Sequence, residues 1–220
     1  MFSHVAVIGR GRAGGALAAR LGERGVLAAP GAAPDLMLIC VPDAAIAEVA
    51  RSIPPGPWVA HVSGATPLAA LDPHARRFGM HPLQTFTTSR GAEQIDGAWA
   101  AITGADADAR RRGEWLAGTL GLRPFVIDED QRVLYHAGAA IASNYLVTLF
   151  RAASRAFERA GAPPEALVPL MHRTIENNFE LTGPISRGDW DTVRAHLAAL
   201  GKELPDLEPL YRVLADATSR

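Results

Sequence analysis

Four apolar residues, Val5-Ala6-Val7-Ile8, run directly into Gly9-Arg10-Gly11-Arg12-Ala13-Gly14. Helical spacing follows at once, with Leu17 and Leu21 four apart. A buried strand, a glycine turn and a helix in that order constrain the fold more than any other stretch of the chain. In G-x-G-x-x-G the first glycine permits the tight turn and the second lets a pyrophosphate approach the backbone. The third lets helix and strand pack closely. The helix start then offers unbonded N–H groups and a partial positive charge to an anion. Gly9, Arg10, Gly11, Arg12, Ala13 and Gly14 are therefore expected to hold a dinucleotide. The competing reading is a glycine-rich turn that binds nothing. Arg10 and Arg12 either contact a phosphate or stay solvated.

The alternation continues. Leu36 to Val41 is apolar on both faces, as a central parallel strand must be. Pro42-Asp43 stops it, and Asp43 is placed to cap a helix from Ala44 to Ser52. Further strands are expected at Gly25–Ala28, Trp58–Val62, Phe78–His81, Trp99–Thr103 and Phe125–Ile127, with a helix from Asp106 to Leu120. From about Asp130 the period changes to helical only. One helix of roughly 30 residues is expected to Ala160, with Leu134, Ile141, Tyr145, Leu149 and Ala153 on one face. Three more helices are expected near 164–180, 189–200 and 207–217. The order predicts an α/β, Rossmann-type parallel sheet domain over 1–128, followed by an all-α domain over 129–220.

Composition excludes several classes. The formal net charge of -1 gives no basic field for nucleic acid. No stretch approaches the ~20 continuous apolar residues of a bilayer span, and residues 1–10 carry no charged-then-apolar targeting pattern. Cys40 is the single cysteine, so no internal disulfide forms and a cytoplasmic location is expected. Cys40 itself reads as core. The seven histidines show no metal-ligand spacing, and no G-x-S-x-G elbow supports a hydrolase.

In an open α/β sheet, ligands sit beyond the carboxyl ends of the strands. Val41 and Pro42 are expected against the cofactor there. Ser63 reads as a cofactor or substrate contact, or as a cap for the segment from Thr66. His81 is either a proton donor to a carbonyl or imine, or a structural histidine. Gln84 is expected to reach the substrate. His61 reads as a satisfied polar residue inside the sheet. On the long helix, His136 is a second candidate proton donor. Asn144 either binds a substrate oxygen or ties two helices together. Thr182, in Leu181-Thr182-Gly183-Pro184, closes the site or merely marks a helix break. The position that normally grips the adenosine ribose holds Ala28-Ala29-Pro30-Gly31, with neither a carboxylate nor a cation. NADP and NAD are both admitted, and the adenosine side is expected to be trimmed.

These motifs, with His61-Val62-Ser63-Gly64-Ala65, His81-Pro82-Leu83-Gln84-Thr85-Phe86, Leu134-Tyr135-His136-Ala137, Ala142-Ser143-Asn144-Tyr145-Leu146 and Leu181-Thr182-Gly183-Pro184-Ile185-Ser186-Arg187-Gly188-Asp189, resemble the Rossmann-like family whose C-terminal half is domain of unknown function 2520. That family is similar to pyrroline-5-carboxylate reductase, ketopantoate reductase and 6-phosphogluconate dehydrogenase-like enzymes. The resemblance implies an NAD(P)-binding domain, an all-α second domain, a homodimer and the reduction of a small carboxylate-bearing metabolite. The chain is shorter than typical members between Ala28 and Asp35 and before Leu181. β-Hydroxyacid dehydrogenase relatives carry a catalytic lysine four residues before the asparagine, where this chain has Ala140. The resemblance therefore leaves His81 and His136 as proton donors. A non-catalytic nucleotide or metabolite sensor and a dimeric scaffold with a vestigial site are the competing functions.

Overall fold

Strands form where short apolar runs are bounded by glycine, proline or aspartate, and helices fill the intervals between them. In the computed structural model, which describes residues 1–219, β1 (Val5–Ile8), β2 (Leu36–Ile39), β3 (Trp58–His61), β4 (Arg77–Leu83), β5 (Trp99–Gly104) and β6 (Arg123–Val126) make one sheet in the order β1-β2-β3-β4-β5-β6. β1 to β4 run parallel, β4 and β5 pair antiparallel, and β5 and β6 are parallel again. The sheet is of the Rossmann type with one reversed pair. Helices α1 (Arg12–Glu23), α2 (Ile46–Ser52) and α3 (Ala107–Leu120) cover it.

Alternation along the strands divides the core between two faces. Leu36 and Leu38 join Leu17, Leu21, Phe78, Met80, Ile102 and Leu116 in one cluster. Ile39 and Val59 point the other way, onto Ile46, Ala50 and Leu71. The expected strand at Gly25–Ala28 is reduced to a single bridge, Val5 to Leu27. The chain returns to β2 within a few residues, so no further strand extends the sheet beyond it.

Arg20 is buried on α1 and ties that helix to the segment before β5. Its Nη2 donates to the Ala92 carbonyl at 2.9 Å and its Nη1 to Asp96 at 2.6 Å. Arg20→Ala is expected to cost about 1–3 kcal/mol, mostly because the buried Ala92 carbonyl loses its donor. Urea unfolding measures this, and an unchanged midpoint would refute it.

The chain divides into two compact units, Met1–Ala140 and Ile141–Arg220. The division lies inside the helical stretch, whereas the expected boundary stood at its start. The first unit ends with α4 (Arg132–Ala140). The second opens with a π-helical turn, Ile141–Tyr145, and continues as α5 (Leu146–Arg159). It also holds α6 (Leu167–Glu176), α7 (Trp190–Glu203) and α8 (Glu208–Thr218). Asp189 caps α7 by accepting from the Thr192 N–H, and Arg155 makes a two-bond pair with Asp206 at 2.7 and 3.0 Å.

The apolar face expected on the long helix is present but uncovered: Leu134, Ile141 and Tyr145 are all exposed. Leu149, Ala153 and Phe157 line an apolar groove of about 610 Å³ with Leu200, Leu207 and Leu214. By length and composition alone, Glu129–Arg159 is long and apolar enough to cross a membrane, although no continuous apolar run suggested it. Arg132, His136 and Asn144 interrupt its apolar character.

Candidate functional site

The glycine turn has the form its spacing predicts. Gly9 sits at φ +93°, and a Cβ there would lie 2.5 Å from the Cys40 carbonyl oxygen. Only glycine tolerates that combination. Gly14 meets the turn so closely that a Cβ would lie 2.1 Å from the Gly9 oxygen. Gly11 differs: nothing lies within 4 Å of its Cβ position. It is the N-cap of α1, no side chain caps the helix, and no acidic residue occupies the first turn. The helix start therefore presents N–H groups without an intrahelical partner to open space. A pyrophosphate fits this cradle. Arg10 and Arg12 flank it, both exposed, and Ala13 is half-buried. Val41 packs beside Gly9, its Cγ1 3.1 Å from that glycine's Cβ position, and Pro42 is exposed. Cys40 is half-buried and packs against the core, and burial pushes its thiol up to about 12.

The adenosine side offers less. Asp35, the first carboxylate after residues 28–31, is turned back to accept the Ser3 and His4 N–H groups at 2.7 and 3.0 Å.

A second cluster forms beyond β3 and β4. Ser63 is buried. Its Oγ lies 2.8 Å from Asp43 Oδ2 and 2.9 Å from Thr66 Oγ1, and accepts the Thr66 N–H at 3.0 Å. With one proton, it donates to the carboxylate. The local bond expected of a Thr66 cap is present, and the hydroxyl is fully engaged. Asp43 does not cap a helix: Pro42 occupies the N-cap position, no side chain bonds there, and the carboxylate serves Ser63 instead. Gln84 is likewise occupied, with Nε2 donating to the Gln94 carbonyl at 2.7 Å and Oε1 accepting the Thr85 N–H.

Arg132, Tyr135 and His136 stand at i, i+3 and i+4, so one face of α4 presents all three. Arg132 is 2% exposed. It donates from Nη2 to the Ser63 carbonyl at 2.5 Å and from Nη1 to Thr103 Oγ1 at 2.8 Å. Those two bonds fix the start of α4 against the ends of β3 and β5. Tyr135 Oη lies 2.8 Å from His81 Nδ1. The His81 ring stands edge-on to both Tyr135 and His136, centroids 5.6 Å apart in each case. Gly64 seals the pair: a Cβ there would lie 2.5 Å from His136 Cδ2 and 3.0 Å from His81 Cε1. His81 and His136, 55 residues apart in sequence, are thus neighbours.

The electrostatics follow from burial. His81 is lowered to about 4, first by burial, then by His136 and Arg132. Tyr135 is raised to about 12 by burial, against the pull of Arg132. His61, expected as a satisfied residue, is fully buried with neither ring nitrogen bonded among the described residues. Burial, then the Arg132 charge, lowers it to about 3. Arg132 lies against the same glycine, Gly79, so its charge sits close to the ring and disfavours an imidazolium there.

Asn144 and Thr182 belong to the second unit, and both are exposed. Asn144 lies in the π-helical turn, with its Oδ1 3.4 Å from Ser143 Oγ. Single π turns inside α-helices frequently mark functional positions. Thr182 follows a helix end at which Asn178 and Phe179 both take left-handed backbone angles, φ 56° and 59°. Sequence reasoning missed Arg132, Tyr135 and Asp43 as members of the cluster. The i, i+3, i+4 spacing on α4 was the available signal for the first two.

The profile of the family described as Domain of unknown function (DUF2520) matches residues 98–218. No curated protein matches the sequence. Among solved structures, a candidate NADP oxidoreductase of Bacteroides fragilis superposes with a TM-score of 0.81 at 21% identity, covering 99% of this chain and 98% of that one. Protein TM1727 of Thermotoga maritima follows at 0.73 and 23%, covering 98% and 100%. A reductive aminase of Aspergillus terreus, solved with NADPH and ethyl-5-oxohexanoate, gives 0.66 and 14%, covering 95% and 87%. At such identities the likeness establishes the fold.

Proposed function

The chain belongs to the DUF2520 family, and from that premise we propose that it is an NAD(P)-dependent oxidoreductase. Its substrate in this reading is the carbonyl or imine of a small carboxylate-bearing metabolite, a ketopantoate-like 2-oxo acid being one such. The observation that carries the reading is the open, uncapped helix start at Gly11, set between two glycines that admit no side chain. The NADP and NADPH named for the Bacteroides and Aspergillus structures support it.

A bound nicotinamide supplies hydride. The chain's own residues do the rest. Gly9, Gly11 and Gly14 shape the pyrophosphate cradle, Arg10 and Arg12 add positive charge, and Val41 and Pro42 wall it. His81 or His136 holds the proton that the substrate oxygen or nitrogen takes. Asn144 and Thr182, both exposed in the helical unit, are the candidates for orienting the substrate, and Gln84 is set aside because its amide is already bonded to its own loop. Ser63 acts through its bond to Asp43, which joins the loops after β2 and β3. The protein works in the cytoplasm as a homodimer, without a nucleic-acid or membrane partner. The exposed apolar residues of the helical unit support the dimer.

The short segment 28–35 favours a second reading, a nucleotide sensor without turnover. Titration with NADPH and NADH, followed by reduction assays on a panel of 2-oxo acids and cyclic imines, separates the two. Binding of either cofactor with turnover of one panel member is expected. Binding without turnover would favour the sensor. No binding of either would leave a scaffold and defeat the proposal.

A further inference from the structure

The two candidate proton donors stand ring against ring, and the geometry decides how His81 holds its proton. Tyr135 Oη is bonded to His81 Nδ1. Two arrangements satisfy that distance. Either the phenol donates to a bare Nδ1, or a protonated Nδ1 donates to the phenol oxygen. The first is favoured, because a phenol is the stronger donor and a bare imidazole nitrogen the stronger acceptor of the two. We propose that Tyr135 is a positioning residue that fixes His81 as the neutral tautomer with its proton on Nε2, and that Tyr135 resupplies that proton during reduction. The inference rests on the reductase reading for its chemistry, but its first half concerns this chain alone.

The groups around His81 agree. It faces Tyr135 and His136 from α4, Arg132 from the same helix, His61 from β3 and Asp43 from the loop after β2. Arg132 and burial both disfavour an imidazolium, and the exposed Asp43 carboxylate does not reverse that. An imidazolium is thus a scarce donor at neutral pH. The one hydrogen bond of the His81 ring among the described residues is at Nδ1, which leaves Nε2 to the substrate.

Reduction of a carbonyl then balances as follows. A bound nicotinamide would supply the hydride for the new C–H bond, and the carbonyl π pair would move to oxygen. That oxygen takes the Nε2 proton, Nδ1 takes the phenolic proton, and the negative charge ends on the Tyr135 oxygen. There it feels the Arg132 guanidinium, until a proton from water restores the phenol. Without Tyr135, His81 would have to become an imidazolate or wait for a rare imidazolium.

Long-range ¹H–¹⁵N NMR of the histidine rings in the full chain, without cofactor, tests the first half. At pH 7, His81 is expected to show one tautomer, protonated at Nε2 and bare at Nδ1. In Tyr135→Phe it should become a mixture of tautomers while the melting temperature stays close to wild type. A wild-type Nδ1–H tautomer, or an unchanged single tautomer in Tyr135→Phe, overturns the proposal. With NADPH and a 2-oxo acid that the wild type reduces, Tyr135→Phe should lower kcat about 100-fold or more, in the range of general acid catalysis, and change NADPH affinity less than about twofold. An unaltered kcat overturns the resupply step. Failure of NADPH to bind the wild type would instead defeat the reductase reading, leaving the tautomer result intact.

Discussion

A Gly11→Val protein is expected to fold as the wild type does and to bind NADPH at least about 100-fold more weakly, about 2.7 kcal/mol in binding free energy. The backbone at Gly11 is extended, φ −66° and ψ −165°, which any residue adopts, and nothing lies within 4 Å of its Cβ position. Valine is a poor N-cap, which costs about 1 kcal/mol of helix stability, or roughly 2–4 °C in a chain of this size. Its methyl groups fill the space a pyrophosphate would occupy and hold the phosphate oxygens away from the N–H groups. Gly14→Ala makes the contrast. Its methyl would meet the Gly9 oxygen at 2.1 Å and Cys40 Cβ at 2.8 Å, so β1, α1 or the turn must shift. Overpacking of this kind costs about 1–3 kcal/mol or more. Melting curves and cofactor titrations on both proteins provide the test. Normal NADPH affinity in Gly11→Val would show that the nucleotide is held elsewhere. A severe loss of stability in the same variant would show that the space at Gly11 is filled in solution.

The glycine turn was legible because its signals are local. A strand, a turn and a helix start lie within about 20 residues, and each glycine has a separate steric duty. The strands were legible from apolar runs, but their directions were not. Fifteen residues separate β4 from β5, enough for either sense of pairing. The antiparallel outcome goes with a loop held by buried Gln94, which accepts from the Thr87 N–H and donates to the Arg90 and Gly91 carbonyls. Nothing in the local pattern marks a glutamine as a loop centre. Asp43 shows the opposite failure. Its local context satisfied the rule for a cap, yet a serine 20 residues on uses its carboxylate. Arg132 and Tyr135 share helical spacing with His136, but that signal is weak for a related reason: their meaning depends on where α4 docks against the sheet. His61 looked satisfied because buried polar groups usually are, and nothing in its local sequence marks a ring that folds without a partner.

Acidification should weaken the fold well before the carboxylates protonate. His61 and His81 are neutral in the folded protein, lowered to about 3 and about 4, whereas both titrate near 6.5 when unfolded. Between those values the unfolded chain binds more protons, so stability falls as pH falls. Their contribution is complete above about 6.5. It is lost progressively as pH drops toward about 4 for His81 and about 3 for His61. At pH 5 each histidine has given up about 2 kcal/mol relative to neutral pH, and together they lower the melting temperature by roughly 8–16 °C. Asp35 and Asp189 do not compete in this window, because backbone and side-chain donors hold their carboxyls below the usual range. Melting curves at pH 7 and pH 5 on the wild type and His61→Leu provide the measurement. The apolar variant removes one titrating group beside Arg132, so about half of the acid-induced drop should disappear. A flat melting temperature between pH 7 and 5, or an identical drop in His61→Leu, would mean that His61 is hydrated or paired in solution. The same argument bears on chemistry: a protein that holds His81 neutral against this gradient stabilises the unprotonated ring, the form that accepts a phenolic proton at Nδ1 while keeping its own on Nε2.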